Sequence, residues 1–390
     1  MLTSVSLPLQ RMFRAAAQPQ QRLNLARRFA TVNDTTGSLQ SDIFKPTKYG
    51  GKYTVTLIPG DGIGAEVAEN VKEVFKADNV PITWEQIEVS GLDDATPTGR
   101  TEEKFQEAVA SLRRNKLGLK GILHTPISRS GHQSFNVAMR QELDIYASIA
   151  LIKNIPGLKT RHDNINLCII RENTEGEYSG LEHQSVPGVV ESLKIITRAK
   201  SERISKFAFS FALANGRKKV TCIHKANIMK LADGLFLDCA REAAKRWEGR
   251  IASDDVLVDA LCMKLVRRPA DFDVLLLENL YGDIVSDLAA GLVGGLGLVP
   301  GANYGREAAV FEAVHGSAPD IAGKGVANPI AMILSAAMMC HHLGQKDAFT
   351  RIRRAVAAVT RKKESLTPDI GGTSTTRGIT DAIIAELRTE

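Results

Sequence analysis

Residues 278–291 read ENLYGDIVSDLAAG, directly after the apolar run 273–277, DVLLL. A short apolar run bounded by charge predicts a buried strand, residues 279–282 predict a turn, and 284–293 predict a helix with an apolar face of small Ala and Gly residues. On that helix Asp283 and Asp287 stand one turn apart and share a face. Like charges at this spacing repel by roughly a few tenths of a kcal/mol unless a cation lies between them. The pair is therefore either a solvated acidic face or part of an oxygen site for Mg²⁺ or Mn²⁺, which take carboxylates together with substrate oxygens.

Working outward toward the N-terminus, the run 257–265 (LVDALCMKL) sets Asp259 among apolar residues, where a lone carboxylate is expected to meet a cation. Lys225 falls where a strand (220–223) passes into a helix expected from 225, and reads as solvent-facing or catalytic. Strand 167–171 (LCIIR) leads into ENTEGEYSG, in which Tyr178 is a surface tyrosine or a proton donor. Residues 124–153 begin as a Ser-, Gly- and Thr-rich loop and take helical periodicity from 135 onward. Ser134, Asn136 and Arg140 sit at that junction and could converge on a carboxylate, although Ser134 equally suits an ordinary helix N-cap. Strand 53–58, turn PGDGIG (59–64), helix 65–76 and strand 82–89 make a βαβ pattern. Gly60, Gly62 and Gly64 alternate, which breaks the dinucleotide fingerprint and favours a tight turn. Toward the C-terminus a strand at 309–311, a Gly- and Pro-rich loop at 312–329 and helices at 330–343, 348–360 and 380–388 complete the pattern.

The 390 residues, 44% apolar and 24% charged, have the balance of a globular protein with two to three domain equivalents. No apolar run reaches membrane-spanning length, since 327–339 is broken by Asn328, Pro329 and Ser335. The net charge of +6 is concentrated at one end. Residues 1–32 hold Arg11, Arg14, Arg22, Arg27 and Arg28 and no acid, the composition of a mitochondrial transit peptide, with RRFAT (27–31) resembling a processing site. Without those arginines the charge is +1, so nothing favours nucleic acid or another polyanion as partner. Residues 33–51 read as a linker. The five cysteines are scattered without CxxC spacing and read as small core residues, not as disulfides or zinc ligands.

IPGDGIG, SFNVAMRQEL, RENTEGEYSG, HKANIMK, NLYGDIVSDLAAGLVGGLG and HGSAPDIAGKGVANP together, in this order, resemble the β-decarboxylating dehydrogenases, which include isocitrate and 3-isopropylmalate dehydrogenases. The resemblance runs from Tyr53 to the C-terminus. It implies an α/β fold with a large domain from residues 52–145 and 295–390, and a smaller central domain from 146–294 with a subunit-pairing clasp at about 176–197. It also implies that Asp283 and Asp287 ligate the chain's own Mg²⁺ or Mn²⁺, while Asp259 is lent across a dimer interface. Such a metal lowers the pKa of the substrate hydroxyl and stabilises the enolate left by loss of CO₂. Lys225, also reaching the partner's site, resembles a proton relay, and Tyr178 the acid that protonates the enolate. Arg140 and Arg171 resemble the clamps on substrate carboxylates. Ser134 and Asn136 resemble the isocitrate type. His315, Gly316, Asp320, Ile321 and Asn328 resemble the cofactor loop, where Asp320-Ile321 is the NAD version, its carboxylate suited to ribose hydroxyls.

One position departs from the pattern. Catalytic members carry YANVRP where this chain reads YASIAL (146–151), so Ala150 replaces an arginine clamp. Such a loss costs about 1.5–3 kcal/mol, or about ten- to a hundredfold in affinity. This stretch resembles regulatory-type subunits of fungal mitochondrial NAD-dependent isocitrate dehydrogenase, which implies citrate or isocitrate as ligand and AMP as an effector in place of NAD. The chain is thus expected to be a matrix subunit that, with a catalytic partner subunit, converts isocitrate to 2-oxoglutarate, CO₂ and NADH. The alternative is a self-sufficient catalytic chain with a modified clamp.

Overall fold

The computed structural model describes residues 46, 48–91, 99–125 and 134–389. The transit-peptide stretch 1–32 and most of the linker at 33–51 lie outside the described residues.

From the N-terminus the chain forms β1 (Lys48–Tyr49), β2 (Lys52–Ile58), α1 (Gly64–Ala77), β3 (Ile82–Gln86), α2 (Gly99–Asn115), β4 (Leu117–Lys120), α3 (Phe135–Glu142), β5 (Ile145–Lys153) and β6 (Asn166–Glu172). A hairpin of β7 (Glu182–Val186) and β8 (Val189–Ser192) precedes α4 (Arg198–Ala214), β9 (Lys219–His224), α5 (Ala232–Lys245), β10 (Ala252–Leu257), α6 (Val258–Arg267), β11 (Val274–Leu277) and α7 (Asn279–Val293). The chain closes with β12 (Pro300–Gly305), β13 (Ala309–Ala313), α8 (Ile330–His342), α9 (Lys346–Lys362) and α10 (Thr376–Arg388).

An 11-stranded sheet of order β1-β2-β4-β13-β12-β5-β6-β11-β9-β10, with β3 also on β2, runs through the molecule and makes it an α/β protein. The strands of each flank are mostly parallel, whereas β5 is antiparallel to both neighbours, β12 and β6. Strands buried on both faces need apolar cover on each. On one flank α1, α8, α9 and α10 cover one face, packing Val71, Met332, Ile352 and Ile383 with Phe311, and α2 and α3 cover the opposite face, packing Leu112 and Met139 with Val310. On the other, α4 and α5 cover one face with Phe209 and Phe236, and α6 and α7 cover the opposite face with Leu261, Val285 and Ala289. Each such Leu, Ile or Phe contributes about 1.5–3 kcal/mol on full burial. The β7–β8 hairpin is exposed along its length.

Several expectations are corrected. The helix expected over 135–153 stops at Glu142, and the chain turns through Asp144 (φ 46°) into β5. Pairing along both edges and the β-branched Ile145, Ile149 and Ile152 outweigh the helical spacing. Residues 279–282 are the first turn of α7, with the Gly282 N–H donating to Glu278 O at 2.9 Å. The helix expected from Lys225 starts at Ala232, residues 225–230 being a turn, and the strand expected over 82–89 ends at Gln86.

Candidate active site

Parallel pairing of β6 with β11 sets Arg171 beside Leu277, so the arginine leaves its strand just where α7 begins. Its Nε and Nη2 donate to Asn279 Oδ1 at 3.0 and 2.7 Å, and its Nη1 is ion-paired to Asp283. Tyr178 donates its hydroxyl to the other oxygen of Asp283, and the guanidinium lies 5.2 Å from the Tyr178 ring centre. Burial, and then Asp283, raise the Tyr178 pKa, so the phenol holds its proton. Gly282 makes this possible, because a methyl there would lie 2.5 Å from Arg171 Cγ.

Arg140, in the last turn of α3, shares Glu312 of β13 with Lys120, at 3.6 and 2.6 Å. Lys120 also donates to Asn136 Oδ1 at 3.0 Å, Asn136 donates to Leu123 O at 2.6 Å, and Asn303 donates to Glu312 at 2.6 Å. Burial alone would raise the Glu312 pKa, but Lys120 and Arg140 outweigh it and hold the carboxyl below its ordinary range. Arg140 feels the charges of Arg171, Asp283 and Tyr178, so both clusters belong to one neighbourhood. Three cations thus converge where each is held by a carboxylate of the same chain. Ser134 pairs through its hydroxyl with Thr125 at 2.8 Å and makes no side-chain cap to α3.

Asp287 is exposed on the same helix as Asp283, and its pKa is raised by partial burial and by Asp283. Among the described residues no group of three or more His, Cys, Asp or Glu could hold a metal. Two carboxylates at this spacing nonetheless suit Mg²⁺, which keeps several waters and takes substrate oxygens. Asp259 does not join them. It lies in the first turn of α6 with its side chain 64% exposed, and accepts from Lys225 Nζ at 2.6 Å. The apolar setting expected for it is corrected: α6 is amphipathic, Leu261 and Leu265 face the core, and Asp259 faces solvent.

Behind this pair lies a buried cluster that sequence reasoning missed. Lys194, just after the hairpin, donates to Asp233 at 2.8 Å and also to Glu278, and lies 3.5 Å from Glu177 and 4.8 Å from the Tyr281 ring centre. Asp233 also accepts the Lys225 backbone N–H at 2.6 Å. Burial pushes the Glu278 carboxyl up to about 8 despite Lys194, because a single ammonium faces three carboxylates. Burial lowers the Lys194 pKa, but Glu278 and Asp233 outweigh it and raise the group above its ordinary value. Asn279, Lys120 and Glu312 were missed as well. The only sequence signal among them is a lysine ending the apolar strand LGLK.

The loop after β13 rests on the PGDGIG turn. Ile63 N–H donates to Ser317 O at 3.0 Å, and Gly62 (φ 61°) permits the approach, since a methyl there would lie 1.8 Å from Ser317 O. His315 is buried, and burial keeps its imidazole neutral. Its Nδ1 faces Gly316 O at 2.9 Å and must donate, which leaves Nε2 an acceptor with no partner among the described residues. An orphaned acceptor next to the exposed Gly316 suits a hydroxyl-bearing ligand such as the ribose of NAD, and Asp320 in the same loop is exposed as well. Ile321 packs on the core, and the Asn328 side chain is engaged by Asp369 at 2.9 Å and by the Ile330 N–H at 3.0 Å.

The isocitrate/isopropylmalate dehydrogenase family matches residues 54–383. The chain is 62% identical to mitochondrial isocitrate dehydrogenase (NAD) subunit 1 of Ajellomyces capsulatus over 97% of each chain. It is 57% identical to the corresponding subunit 1 of Schizosaccharomyces pombe, over 89% of this chain and 97% of that one. Among solved structures, isocitrate dehydrogenase from Methylococcus capsulatus superposes with a TM-score of 0.80 at 45% identity, covering 86% of this chain and 99% of that one.

Proposed function

Because the chain belongs to the isocitrate/isopropylmalate dehydrogenase family, we propose that it is a subunit of a mitochondrial, NAD-dependent isocitrate dehydrogenase, and that it acts as the regulatory-type member of a hetero-oligomer. The reaction converts isocitrate and NAD⁺ to 2-oxoglutarate, CO₂ and NADH. The observation that carries the ligand class is the meeting of Lys120, Arg140 and Arg171 beside Asp283 and Tyr178, a site with the charge for a di- or tricarboxylate.

Arg140 and Arg171 exchange Glu312 and Asp283 for ligand carboxylates, with the fork of Arg171 fixed by Asn279. Tyr178, protonated and aimed at the same point, is the proton donor to the carbanionic carbon left when CO₂ departs. Asp283 and Asp287 would hold Mg²⁺ or Mn²⁺, with Asp259 of an adjoining subunit as a further ligand. That ion supplies Lewis acidity to the substrate hydroxyl. His315, Gly316, Asp320, Ile321 and Asn328 form the nucleotide loop, which takes NAD or AMP. Asp259 faces outward with the half-buried Lys225 paired to it, as residues serving a neighbouring subunit's site would, and the exposed β7–β8 hairpin suits subunit pairing. Residues 146–294, with that hairpin, serve as the smaller domain.

The regulatory assignment rests on Ala150. It is 5% exposed, on the same sheet face as Arg171 and two residues along the register, and it packs against α7. A methyl group therefore stands where a third guanidinium would close the clamp. Residues 1–32 then direct the chain to the matrix. The test is isocitrate- and Mg²⁺-dependent NAD reduction by the purified chain alone and together with its catalytic partner. Turnover only in the complex, with citrate and AMP binding to this chain, supports the reading. Robust turnover by the chain alone overturns it in favour of the self-sufficient enzyme.

A further inference from the structure

A second concavity lies at the other end of the strands that build the candidate site. The strands β6, β9 and β11 run parallel, with Arg171 at the C-terminal end of β6 and Lys225 and Glu278 directly following β9 and β11. Their N-terminal ends, at Asn166, Lys219 and Asp273, instead line a cleft of about 950 Å³ whose opposite wall is α8 and α9. Along β6 alone, Asn166 and Arg171 are separated by roughly 17 Å at about 3.3 Å per residue. None of the residues assigned above to substrate, metal or nucleotide lines this cleft.

Its walls are apolar, with Leu151, Phe211, Phe272, Leu334, Met338 and Phe349. Its rim is cationic, with Lys153, Arg217, Lys218, Lys219 and Arg353 set against Asp271 and Asp273. Both acids are already engaged. Asp273 accepts from Arg217 at 2.9 Å and from the Lys218 N–H at 2.6 Å, while Asp271 is paired with Arg268 at 3.1 Å. Lys153, Lys218 and Arg353 have no carboxylate partner among the described residues, and Arg353 rests its guanidinium 4.9 Å from the Phe349 ring centre. Partial burial, then Arg353 and Arg217, lower the Lys153 pKa, the mark of like charges gathered without a counter-anion. Solvated surface lysines are usually spaced or interleaved with acids, whereas these rim an apolar cleft.

We propose that this rear cleft is a second ligand site, which takes an amphipathic organic anion: an aromatic or aliphatic body against the apolar walls and a carboxylate, sulfonate or phosphate head between Lys153 and Arg353. The body gains by leaving water, and the head meets cations that have no carboxylate partner among the described residues. Both the anionic head and the apolar body add to affinity, so a neutral amphiphile binds more weakly than an anionic one and a bare anion does not compete.

The test titrates the full chain, alone and in its hetero-oligomer, with the fluorescent anion 8-anilinonaphthalene-1-sulfonate. Decanoate, decanol and inorganic phosphate are used as competitors. Expected are saturable binding, displacement by decanoate, displacement by decanol weaker by about tenfold, and none by phosphate. The double variant Lys153→Glu/Arg353→Glu should bind the probe about tenfold more weakly at an unchanged melting temperature, with Lys153→Arg close to wild type. If the double variant does not fold, Arg353→Gln alone carries the comparison. Equal displacement by decanol and decanoate, or probe affinity indifferent to these rim substitutions, overturns the proposal.

Discussion

Arg171 is ion-paired to Asp283, so the residue proposed to clamp a substrate carboxylate is held by one of the carboxylates proposed to bind the metal. Each anion must therefore be exchanged before the site can be filled. Bidentate geometry favours arginine here, since Nε and Nη2 both reach Asn279 while Nη1 remains for a carboxylate. Arg171→Lys keeps the charge but loses the fork. Its affinity for isocitrate or citrate, measured by calorimetry, should fall about tenfold or more. An unchanged affinity would remove Arg171 from the clamp.

Gly282 is a second point of control. A methyl group there would meet Arg171 Cγ, Cβ and Cδ at 2.5, 2.7 and 2.9 Å, and the first two atoms cannot swing away without moving the arginine itself. Gly282→Ala should cost about 1–3 kcal/mol in urea denaturation, as overpacking does, and weaken tricarboxylate binding at the same time. A variant of normal stability and affinity would show that this packing is slack.

Glu312 neutralises Lys120 and Arg140 in a setting where all three side chains are buried or nearly so. Removing its charge leaves two uncompensated cations, and breaking a buried pair in this way costs about 3–5 kcal/mol. Glu312→Gln should show a loss of that order in urea denaturation, partly reversed by saturating citrate, whose carboxylates replace the missing charge. Failure of citrate to restore stability would argue that the ligand does not enter this cluster.

What was legible in the sequence is mostly local. The i,i+4 pair Asp283 and Asp287, the PGDGIG turn and the strand before α7 depend on residues a few positions apart, and helix or strand geometry fixes such relationships. Strand β5 was hidden because its neighbours β6 and β12 supply the hydrogen bonds that override a helical pattern, and β12 lies far along the chain. Asn279, Glu312 and Lys194 escaped notice for the same reason. Lys194 and Glu278, for example, are 84 residues apart, and no spacing rule connects them. The substitution at Ala150 could be read by resemblance, but its burial against α7 and its position on the Arg171 face required coordinates.

The Lys194 cluster gives the stability of the protein a pH dependence with a definite sign. Glu278 has a folded-state carboxyl pushed up to about 8 from an ordinary 4.5, with burial as the first cause. Below about pH 4.5 it is protonated in both folded and unfolded chains. Between about 4.5 and 8 the unfolded chain loses that proton while the folded chain keeps it, so stability falls as pH rises, by at most about 1.4 kcal/mol per pH unit. Lys194, whose pKa is raised, contributes stability that is lost only far above this window. Glu312, whose pKa is lowered, contributes stability that is lost only below it. Glu278→Gln imitates the protonated group at every pH and should flatten the curve. Melting temperatures from pH 5 to 8 should therefore match wild type at the acid end and exceed it at pH 8. Parallel curves for the two proteins would show that Glu278 is ionised in the folded state and that Lys194 alone satisfies it.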